Sequence, residues 1–276
     1  MPHDLSAEAI EIAVHGRLGR PVRFFDAIGS TNDEAWGWAR DGAPEGAMVV
    51  ADHQTQGRGR WDRDWIDRPG SSLMFSLILR PQPDAEAVRL LTTAAGVACS
   101  EAVEAVYGVR TGLKWPNDVT VGGRKLAGLL VESATRGDRV EVAVVGFGLN
   151  MHLPAGMPAE VVDGATSISD ALGRSEPGRP VDRAGLLAAI LTEFEHTYGR
   201  LTDPAGRAEL LRRAERRSVV IGMSVAARLA DGRTLSGIAR GLLPSGALEI
   251  EVKGARLALH SAEITQLRAA PVPRPR

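Results

Sequence analysis

The sequence lacks the residues that build disulfide or zinc frameworks. Only one of its 276 residues is a cysteine, Cys99, and it lies in a run of alanines and valines that predicts a helix. A single thiol excludes a disulfide within the chain and is typical of a reducing compartment. The six histidines are far apart and lack the short spacing of zinc ligands. We therefore expect no metal site built from protein side chains alone.

An excess of charge and a long apolar run are also absent. The 33 basic and 34 acidic residues leave a net charge of -1, which provides no overall attraction to nucleic acid or to an anionic membrane. The N-terminus has no apolar core of signal-peptide length, and no apolar run is long enough to span a bilayer. These absences predict a cytoplasmic protein that binds neither nucleic acid nor membrane.

The length and the residue pattern predict two domains. A chain of 276 residues can form one large domain and one small domain. Residues 1–217 contain both helix-like and strand-like segments. Residues 218–268 contain short strand-like segments separated by glycine-rich turns, a pattern that predicts a small SH3-like barrel. The segment 269–276 is rich in proline and arginine and is expected to be disordered.

Several helices are predicted in the large domain. Thr31 and Glu34 have capping-box spacing, which predicts the start of a helix. Apolar residues recur every three or four positions over 88–106, the period of a long helix. Further helices are expected near 182–199 and 204–217. The apolar residues of the segment 57–68 recur with neither a helical nor a strand period, so this segment is predicted to be a loop.

Residues 110–150 predict an antiparallel meander of strands. If the glycines at 122 and 123 form a two-residue turn, Thr120 faces Lys125 across the hairpin. Asp118 then lies one pleat away from Lys125. This pairing predicts a lysine and a carboxylate side by side on one face of the sheet.

The second hairpin of the meander sets the position of a third polar residue. If 135–138 form its turn, Lys125 pairs with Gly148, and Asn150 lies on the same face because side chains alternate with a period of two. Asp118, Lys125 and Asn150 then converge. Gly148, and a second glycine two residues before it, would leave that face open to a ligand.

The loop at 57–68 has the composition of a phosphate-binding segment. It carries four arginines and three aspartates, a near balance that disfavours a nucleic-acid surface. Glycines between the arginines allow backbone N–H groups and guanidinium groups to surround one phosphate. The loop is not a Walker loop, and GFGLN at 146–150 lacks the third glycine of a dinucleotide fingerprint. Trp61 and Trp65 are either hydrophobic anchors or a stacking surface for an adenine ring.

Taken together, these motifs resemble those of the biotin protein ligases, also called biotin-[acetyl-CoA-carboxylase] ligases. The resemblance extends from STN at 30–32 through HQTQGRGRWDRDW, KWPND, RKLAGLLVE and GFGLN to the C-terminal barrel. It implies a mixed-sheet α/β (α+β) catalytic domain of the kind shared with lipoate ligases and class II aminoacyl-tRNA synthetases, followed by a small SH3-like β-barrel.

The resemblance also implies an activity. Members of this family use ATP and Mg²⁺ to convert biotin to biotinyl-5′-AMP, and then transfer biotin to a lysine of a biotin carboxyl carrier domain. The magnesium ion is expected to be carried by ATP. Only 29 residues precede Ser30, fewer than a winged-helix domain needs, so we expect no operator binding. The chain is expected to be a monomer or a homodimer.

Site residues follow from the matching motifs. The expected catalytic residues are Arg60, Lys125, Asp118 and Lys114. Biotin is expected to contact Ser30, Thr31, Asn32, Gln54, Gly57, Arg58, Arg60, Lys125, Gly128 and Gly148. ATP or the adenylate is expected to contact Arg58, Arg60, Arg63, Trp65, Asn117, Lys125 and Asn150. Many relatives have glycine or another small residue where this chain has Trp61 and Asp62, so the packing of the closed loop is expected to differ.

Two other functions fit parts of the pattern. An enzyme of the same fold could activate lipoate or octanoate, although GRGR and KWPND favour biotin. A non-catalytic biotin sensor or repressor could retain the fold, but the basic residues Arg58, Arg60, Lys114 and Lys125 favour retained chemistry. A simple nucleic-acid-binding module is disfavoured by the charge balance.

Overall fold

A computed structural model describes residues 4–81, 85–136, 139–154, 156–157, 159–173, 176 and 180–266. The segment 269–276, expected to be disordered, lies outside the described residues. Within them, no helix is both long and apolar enough to cross a membrane.

A seven-stranded mixed sheet forms the centre of the large domain, which confirms the predicted fold class. Its strands are β1 (Val22–Phe25), β2 (Met48–Ala51), β3 (Ser72–Leu79), β4 (Gly112–Lys114), β5 (Asp118–Val121), β6 (Arg124–Arg136) and β7 (Arg139–Asn150). Their order across the sheet is β1-β2-β3-β7-β6-β5-β4, and only β1 and β2 are parallel. Every residue of β3 is buried because helices cover both of its faces.

Eight helices occur in the described part of the chain. They are α1 (Ala7–Ala13), α2 (Thr31–Arg40), α3 (Ala85–Arg89), α4 (Leu91–Tyr107), α5 (Ala159–Gly164), α6 (Ile168–Leu172), α7 (Arg183–Gly199) and α8 (Pro204–Arg217). The apolar residues of α4 and α7 pack together against one face of the sheet and form the main core. Helix α2 covers the opposite face. Cys99 is fully buried in α4, and burial raises the pKa of its thiol to about 12.

The start of α2 differs from the predicted capping box. The N-cap is Ser30, and its side chain makes no capping hydrogen bond. Thr31 is already helical, and its backbone N–H and hydroxyl both donate to Gln54 Oε1, at 2.6 and 2.9 Å. The expected cap was wrong because the side chain of Thr31 is used in a tertiary contact with the loop after β2.

The predicted meander forms, with a register shift in each of its two hairpins. In the first hairpin, an irregularity at Val119/Thr120 places Asp118 opposite Gly128. Thr120 pairs with Lys125 as expected. The expected pairing of Lys125 with Gly148 was wrong, because Gly128 is the residue opposite Gly148. Arg136 pairs with Arg139, so the turn is shorter than the four residues assumed, and an irregularity at Ala134/Thr135 shifts the strands further. The actual register therefore places two glycines opposite each other.

A separate five-stranded sheet lies C-terminal to α8. Its strands are β8 (Ser224–Arg228), β9 (Thr234–Leu242), β10 (Leu248–Val252), β11 (Ala255–Leu259) and β12 (Glu263–Gln266), in the order β11-β10-β9-β8-β12. It has its own apolar core. Trp115 packs against that core and donates its indole N–H to Gly246 O at 3.1 Å. The boundary at 217/218 and the SH3-like closure of these strands stay predictions.

A buried arginine links the first turn of α7 to the sheet. Arg183 is 2% exposed and donates to Asp52 Oδ1 at 2.6 Å, to Asp4 Oδ1 at 2.6 Å and to Ser72 O at 3.2 Å. The side chain of Asp52 is 7% exposed, so this carboxylate depends on the guanidinium group for its charge balance, whereas the side chain of Asp4 is 38% exposed. Loss of one member of such a buried pair leaves an uncompensated charge.

Arg183→Ala is therefore expected to destabilise the protein by about 3–5 kcal/mol. Urea unfolding monitored by circular dichroism measures this change. Arg17→Ala is the control, because Arg17 also pairs with a carboxylate but its side chain is 85% exposed, and a change of about 0.5 kcal/mol or less is expected there. Equal effects of the two variants would contradict this role of Arg183.

Candidate functional site

A cleft of about 470 Å³, open to solvent, lies over β6 and β7. The N-terminus of α2 and the segment after β2 form one side, and the loop at 57–65 forms the other. Its walls combine backbone, polar side chains and three cationic side chains. The lining residues are Ser30, Thr31, Asn32, Gln54, Arg58, Gly59, Arg60, Trp65, Asn117, Lys125, Gly128, Leu129, Leu130, Gly146, Phe147 and Gly148.

One end of the cleft is a buried polar cluster. Gln54 Oε1 accepts two hydrogen bonds from Thr31, so its carbonyl is occupied, and Gln54 Nε2 lies 3.2 Å from Met74 Sδ. The hydroxyl of Ser76 lies 2.8 Å from Thr31 Oγ1 and 2.6 Å from Asn32 Oδ1. These contacts fix the side chains before any ligand binds. Sulfur is a weak acceptor, so the amide group of Gln54 retains donor capacity for a ligand.

The floor of the cleft is bare backbone where Gly128 pairs with Gly148. The indole of Trp65 lies directly on this pair. A Cβ built on Gly148 would meet ring atoms of Trp65 at 3.0 Å, and one built on Gly128 would meet the same ring at 3.1 Å. Any side chain at either position would therefore displace an aromatic ring or a ligand from the strand backbone.

The acidic and basic residues predicted to converge do lie together. Lys125 Nζ is 2.8 Å from Asp118 Oδ1 and 5.5 Å from the centre of the Trp65 ring. Asn150 contacts the same strand through its side chain, because its Nδ2 donates to Lys125 O at 3.4 Å and to Thr166 O at 3.0 Å. Asn150 therefore holds the backbone beneath Lys125 rather than its ammonium group.

The loop at 57–65 folds back on itself. Arg58 and Asp64 form an isolated antiparallel bridge, and Trp65 N donates to Gly57 O at 2.9 Å. Trp61 lies at the tip with φ 57°, in the left-handed region that favours glycine. Its side chain is exposed. The tip carries backbone strain that a glycine at this position would not have.

Each arginine of the loop contacts a different part of the protein. Arg58 pairs with Asp33 of α2. Arg60 donates to Asn117 Oδ1 at 3.2 Å and to Ser261 Oγ at 2.5 Å, and burial lowers the pKa of its guanidinium group. The loop is thus attached both to the large sheet and to the segment before β12.

Arg63 forms the second link to the C-terminal sheet. It pairs with Glu263 Oε2 at 2.6 Å, and this hydrogen bond lowers the pKa of the Glu263 carboxyl group. The carboxylate is therefore ionised at neutral pH. The pair is partly exposed, with 61% of the Arg63 side chain accessible, and exposed pairs contribute about 0–1 kcal/mol.

A second opening of about 770 Å³ lies between the large sheet and the C-terminal sheet. Asp118, Lys114, Arg63 and Glu263 line it. It meets the cleft at residues that line both, namely Gly59, Arg60, Trp65, Asn117 and Lys125. The Lys125–Asp118 pair is therefore accessible from the surface by a route that does not pass the buried polar cluster.

Most of the predicted site residues line the cleft. They are Ser30, Thr31, Asn32, Gln54, Arg58, Arg60, Trp65, Asn117, Lys125, Gly128 and Gly148. Three others line the second opening: Arg63, Lys114 and Asp118. Gly57 and Asn150 act through hydrogen bonds to neighbouring backbone. Their roles toward a ligand stay predictions.

Two residues that support the cleft were missed. Ser76 is a fully buried hydroxyl inside β3, and Glu132 accepts hydrogen bonds from Asn32 and Trp36. The sequence does contain a signal for Ser76, which interrupts the apolar run SLMFSLIL, because a buried polar group requires a partner. Glu132 ends the motif RKLAGLLVE, but its register was not known without the irregularity at which β7 has one extra residue relative to β6.

Gly148→Ala is expected to weaken biotin binding by about tenfold or more, because its methyl group would occupy the floor of the cleft. Isothermal titration calorimetry with biotin measures the change. Gly37→Ala is the control, since a Cβ at Gly37 meets no atom within 4 Å. That helical substitution is expected to leave binding unchanged and to stabilise the protein by about 0.5–1 kcal/mol. Wild-type affinity in Gly148→Ala would contradict the assignment of the floor.

Comparison with known sequences identifies relatives over most of the chain. The sequence model of the Biotin/lipoate A/B protein ligase family matches residues 24–150. The Bifunctional ligase/repressor BirA of Bacillus spizizenii is 37% identical over 249 residues, which are 90% of this chain and 74% of BirA. The Biotin--[acetyl-CoA-carboxylase] ligase of Mycobacterium tuberculosis is 34% identical, with 87% of this chain and 86% of the relative covered.

Solved structures give the same result. The biotin protein ligase from Aquifex aeolicus in complex with biotin and ATP superposes with a TM-score of 0.75 and 26% identity, covering 91% of this chain and 100% of that one. Both the sequence and the architecture therefore match proteins named for biotin rather than for lipoate. The chain belongs to the Biotin/lipoate A/B protein ligase family and, within it, to the biotin protein ligases.

Proposed function

We propose that this protein activates biotin with ATP to form biotinyl-5′-AMP, and transfers the biotinyl group to a lysine of a biotin carboxyl carrier domain. One observation carries the proposal. The Lys125–Asp118 pair lies beside the bare Gly128–Gly148 backbone, at the junction of two openings. An acid activated in the cleft would therefore be accessible to a second substrate from the other opening.

The cleft fits biotin by its division into a polar end and a cationic end. A ureido ring needs hydrogen bonds, and the polar end offers side chains fixed by Thr31, Gln54 and Ser76. A carboxylate needs positive charge, which Lys125 and Arg60 provide at the other end. Apolar contact with the floor and with Leu129 suits the part of the molecule between these groups.

ATP fits the same cationic end. The guanidinium groups of Arg58 and Arg60 and the ammonium group of Lys125 line the cleft and can contact phosphate oxygens. The described residues contain no group of three or more His, Cys, Asp or Glu side chains arranged to hold a metal. We therefore assign Mg²⁺ to the phosphate oxygens of ATP, where it would neutralise part of their charge.

In the first half-reaction, an oxygen of the biotin carboxylate attacks the α-phosphorus of ATP. The bond from that phosphorus to the bridging oxygen of the β-phosphate breaks, and pyrophosphate leaves. Lys125 and Arg60 offset the negative charge of the two anions that approach each other. The loop at 57–65 covers the product, which protects a mixed anhydride from water.

In the second half-reaction, the neutral Nζ of an acceptor lysine attacks the carbonyl carbon of the adenylate. The bond to the phosphate oxygen breaks and AMP leaves. Asp118 lines the second opening, where it can orient the amine and accept the proton that the new amide releases.

Lys125→Ala is expected to lower biotin-dependent exchange of labelled pyrophosphate into ATP by roughly 10²- to 10³-fold, because one preorganised cation is lost. Lys253→Ala is the control, as Lys253 lies in the turn between β10 and β11, outside both openings. Biotin binding by the wild-type protein with no exchange would contradict the proposed activation step.

Asp118→Asn is expected to slow transfer from preformed biotinyl-5′-AMP to a purified carrier domain by roughly 10²- to 10⁴-fold, since an amide cannot accept the proton. Because Asp118 pairs with Lys125, the substitution could also affect the activation step. The rate of pyrophosphate exchange in the same variant measures that indirect effect, and it is expected to fall far less than the rate of transfer. Transfer at the wild-type rate would exclude Asp118 as the base. Asp231→Asn, at an exposed turn of the C-terminal sheet, serves as the control.

A further inference from the structure

A third opening, which we call the groove, lies beside the other two. It has a volume of about 1320 Å³, and its walls are the start of α4, the turn before β5, part of β6 and two turns of the C-terminal sheet. Arg60, Arg89 and His260 line it, together with Trp115 and Gly246. The hydrogen bond from Trp115 Nε1 to Gly246 O at 3.1 Å keeps these walls in place without a ligand.

The groove and the cleft lie on opposite faces of β6. Side chains alternate between the two faces along a strand. Gly128 and Leu130, which share one face, line the cleft. Val131 and Ser133, which share the other face, line the groove. Val131 also packs against the core that contains α4, whereas the start of α2 lines the cleft. The sheet itself therefore separates the two spaces.

The two spaces meet at the edge of β6. Strand β5 pairs with β6 only as far as Gly128, which faces Asp118. Beyond Gly128, β6 continues to Arg136 and pairs with β7 alone among the described strands. Arg60 lies where β5 ends, because it donates to Asn117 Oδ1 at 3.2 Å. Among the described residues, Arg60 alone lines both the cleft and the groove. A ligand held at Arg60 can therefore extend from one face of the sheet to the other.

The groove has the side chains of a polyphosphate site. Arg60, Arg89 and His260 line it together with two threonines and two serines. A guanidinium group can bind two phosphate oxygens at once, and hydroxyl groups and an imidazole N–H are further donors. None of the lining side chains that the structure describes is an Asp or a Glu. An anion bound there meets donors and positive charge without a facing carboxylate.

The second opening differs from the groove in charge. Asp64, Asp118 and Glu263 line it in addition to basic residues. Carboxylates attract a lysine side chain and repel a polyphosphate. The two spaces that meet at Arg60 thus suit substrates of opposite charge, with the acceptor lysine in the second opening and a phosphate anion in the groove.

The geometry of the first half-reaction gives a reason for this division. When one oxygen displaces another at phosphorus, the attacking and leaving oxygens lie roughly in line on opposite sides of it. The biotin carboxylate attacks from the cleft, so pyrophosphate leaves on the side away from the cleft. Arg60 contacts the reacting phosphate in the proposed reaction and also lines the groove. The leaving group is therefore directed past the edge of β6 into the groove.

We propose that the groove binds the β- and γ-phosphates of ATP and then the pyrophosphate that leaves, with Arg89 and His260 as phosphate-binding residues. The acceptor lysine enters by the second opening, so the leaving group of the first step and the nucleophile of the second use separate routes. This inference rests on the proposed function and adds to it a binding site for the leaving group. No bond changes in the groove, since the bond that breaks is the one at the α-phosphorus.

The test measures the KM for pyrophosphate in biotin-dependent exchange of labelled pyrophosphate into ATP, at saturating biotin and ATP. Arg89→Glu is expected to raise this KM roughly tenfold or more, since a charge-assisted hydrogen bond is replaced by repulsion. His260→Ala is expected to raise it about two- to tenfold, the effect of one lost hydrogen bond. The Kd of biotin and the rate of transfer from preformed biotinyl-5′-AMP are expected to keep their wild-type values, because neither involves pyrophosphate.

Arg110→Glu is the matched control. Arg110 is exposed and follows the other end of α4, outside the three openings. The substitution changes the net charge by the same amount as Arg89→Glu, so it reports any effect of overall charge on an anionic substrate. The wild-type KM for pyrophosphate is expected. Circular dichroism checks the fold of each variant, and His260→Ala tests the groove independently should Arg89→Glu fail to fold.

A wild-type KM for pyrophosphate in both Arg89→Glu and His260→Ala would overturn the proposal. A raised KM in Arg63→Glu alone would place the exit at the second opening, which Arg63 lines. An equal rise in Arg110→Glu would assign the effect to overall charge and would also overturn it. So would equal losses of biotin affinity and of transfer rate, which general damage to the fold predicts. Failure of the proposed function is a different result, namely no exchange in the wild-type protein that binds biotin.

Discussion

The site depends on a stretch of the sheet where paired glycines leave the backbone uncovered by side chains. Gly128 and Gly148 lie opposite each other on neighbouring central strands, so a flat ring or a ligand can rest on the backbone itself. The adjacent strands keep this surface rigid, because β3 and β7 are hydrogen-bonded along eight residue pairs. A rigid floor costs little ordering entropy when a ligand binds.

The loop at 57–65 is held by partners that a phosphate can replace. Arg58 contacts carboxylates, Arg60 contacts an amide and a hydroxyl, and Arg63 contacts a carboxylate of the C-terminal sheet. Partly exposed pairs of this kind contribute about 0–1 kcal/mol each. A triphosphate presents several charged oxygens to the same guanidinium groups, and charge-assisted bonds to them are stronger.

Much of this fold follows from local pattern. The glycine turn at 122–123 predicted the pairing of Thr120 with Lys125, and that pairing brings Lys125 to Asp118. The second hairpin was not predictable by the same rule, since a short turn and one extra residue in β7 shift the register by three residues. A bulge depends on the tertiary fit of a long strand, and the sequence marks it with no distinctive residue.

The resemblance did point to Ser30, Thr31, Asn32 and Gln54 at the polar end of the site, but the contacts that hold these residues in place were not predictable, for a similar reason. The spacing of Thr31 and Glu34 is that of a helix cap, and the same residues could serve a cap or a ligand pocket. The contact between Thr31 and Gln54 spans 23 residues, and the contact between Asn32 and Glu132 spans 100. Neither has a local signal, because both require α2 to be packed on the sheet first.

Trp65 shows how the floor and the loop are related energetically. Its ring covers the two glycines, but its indole N–H is buried and finds no hydrogen-bond partner among the described residues. Burial of an unpaired donor costs about 1–3 kcal/mol. The ring is held against this cost by contact with the glycine backbone and by the ammonium group of Lys125, 5.5 Å from the ring centre. A ligand that offers an acceptor to this N–H, or that lies on the glycines in place of the ring, relieves that cost.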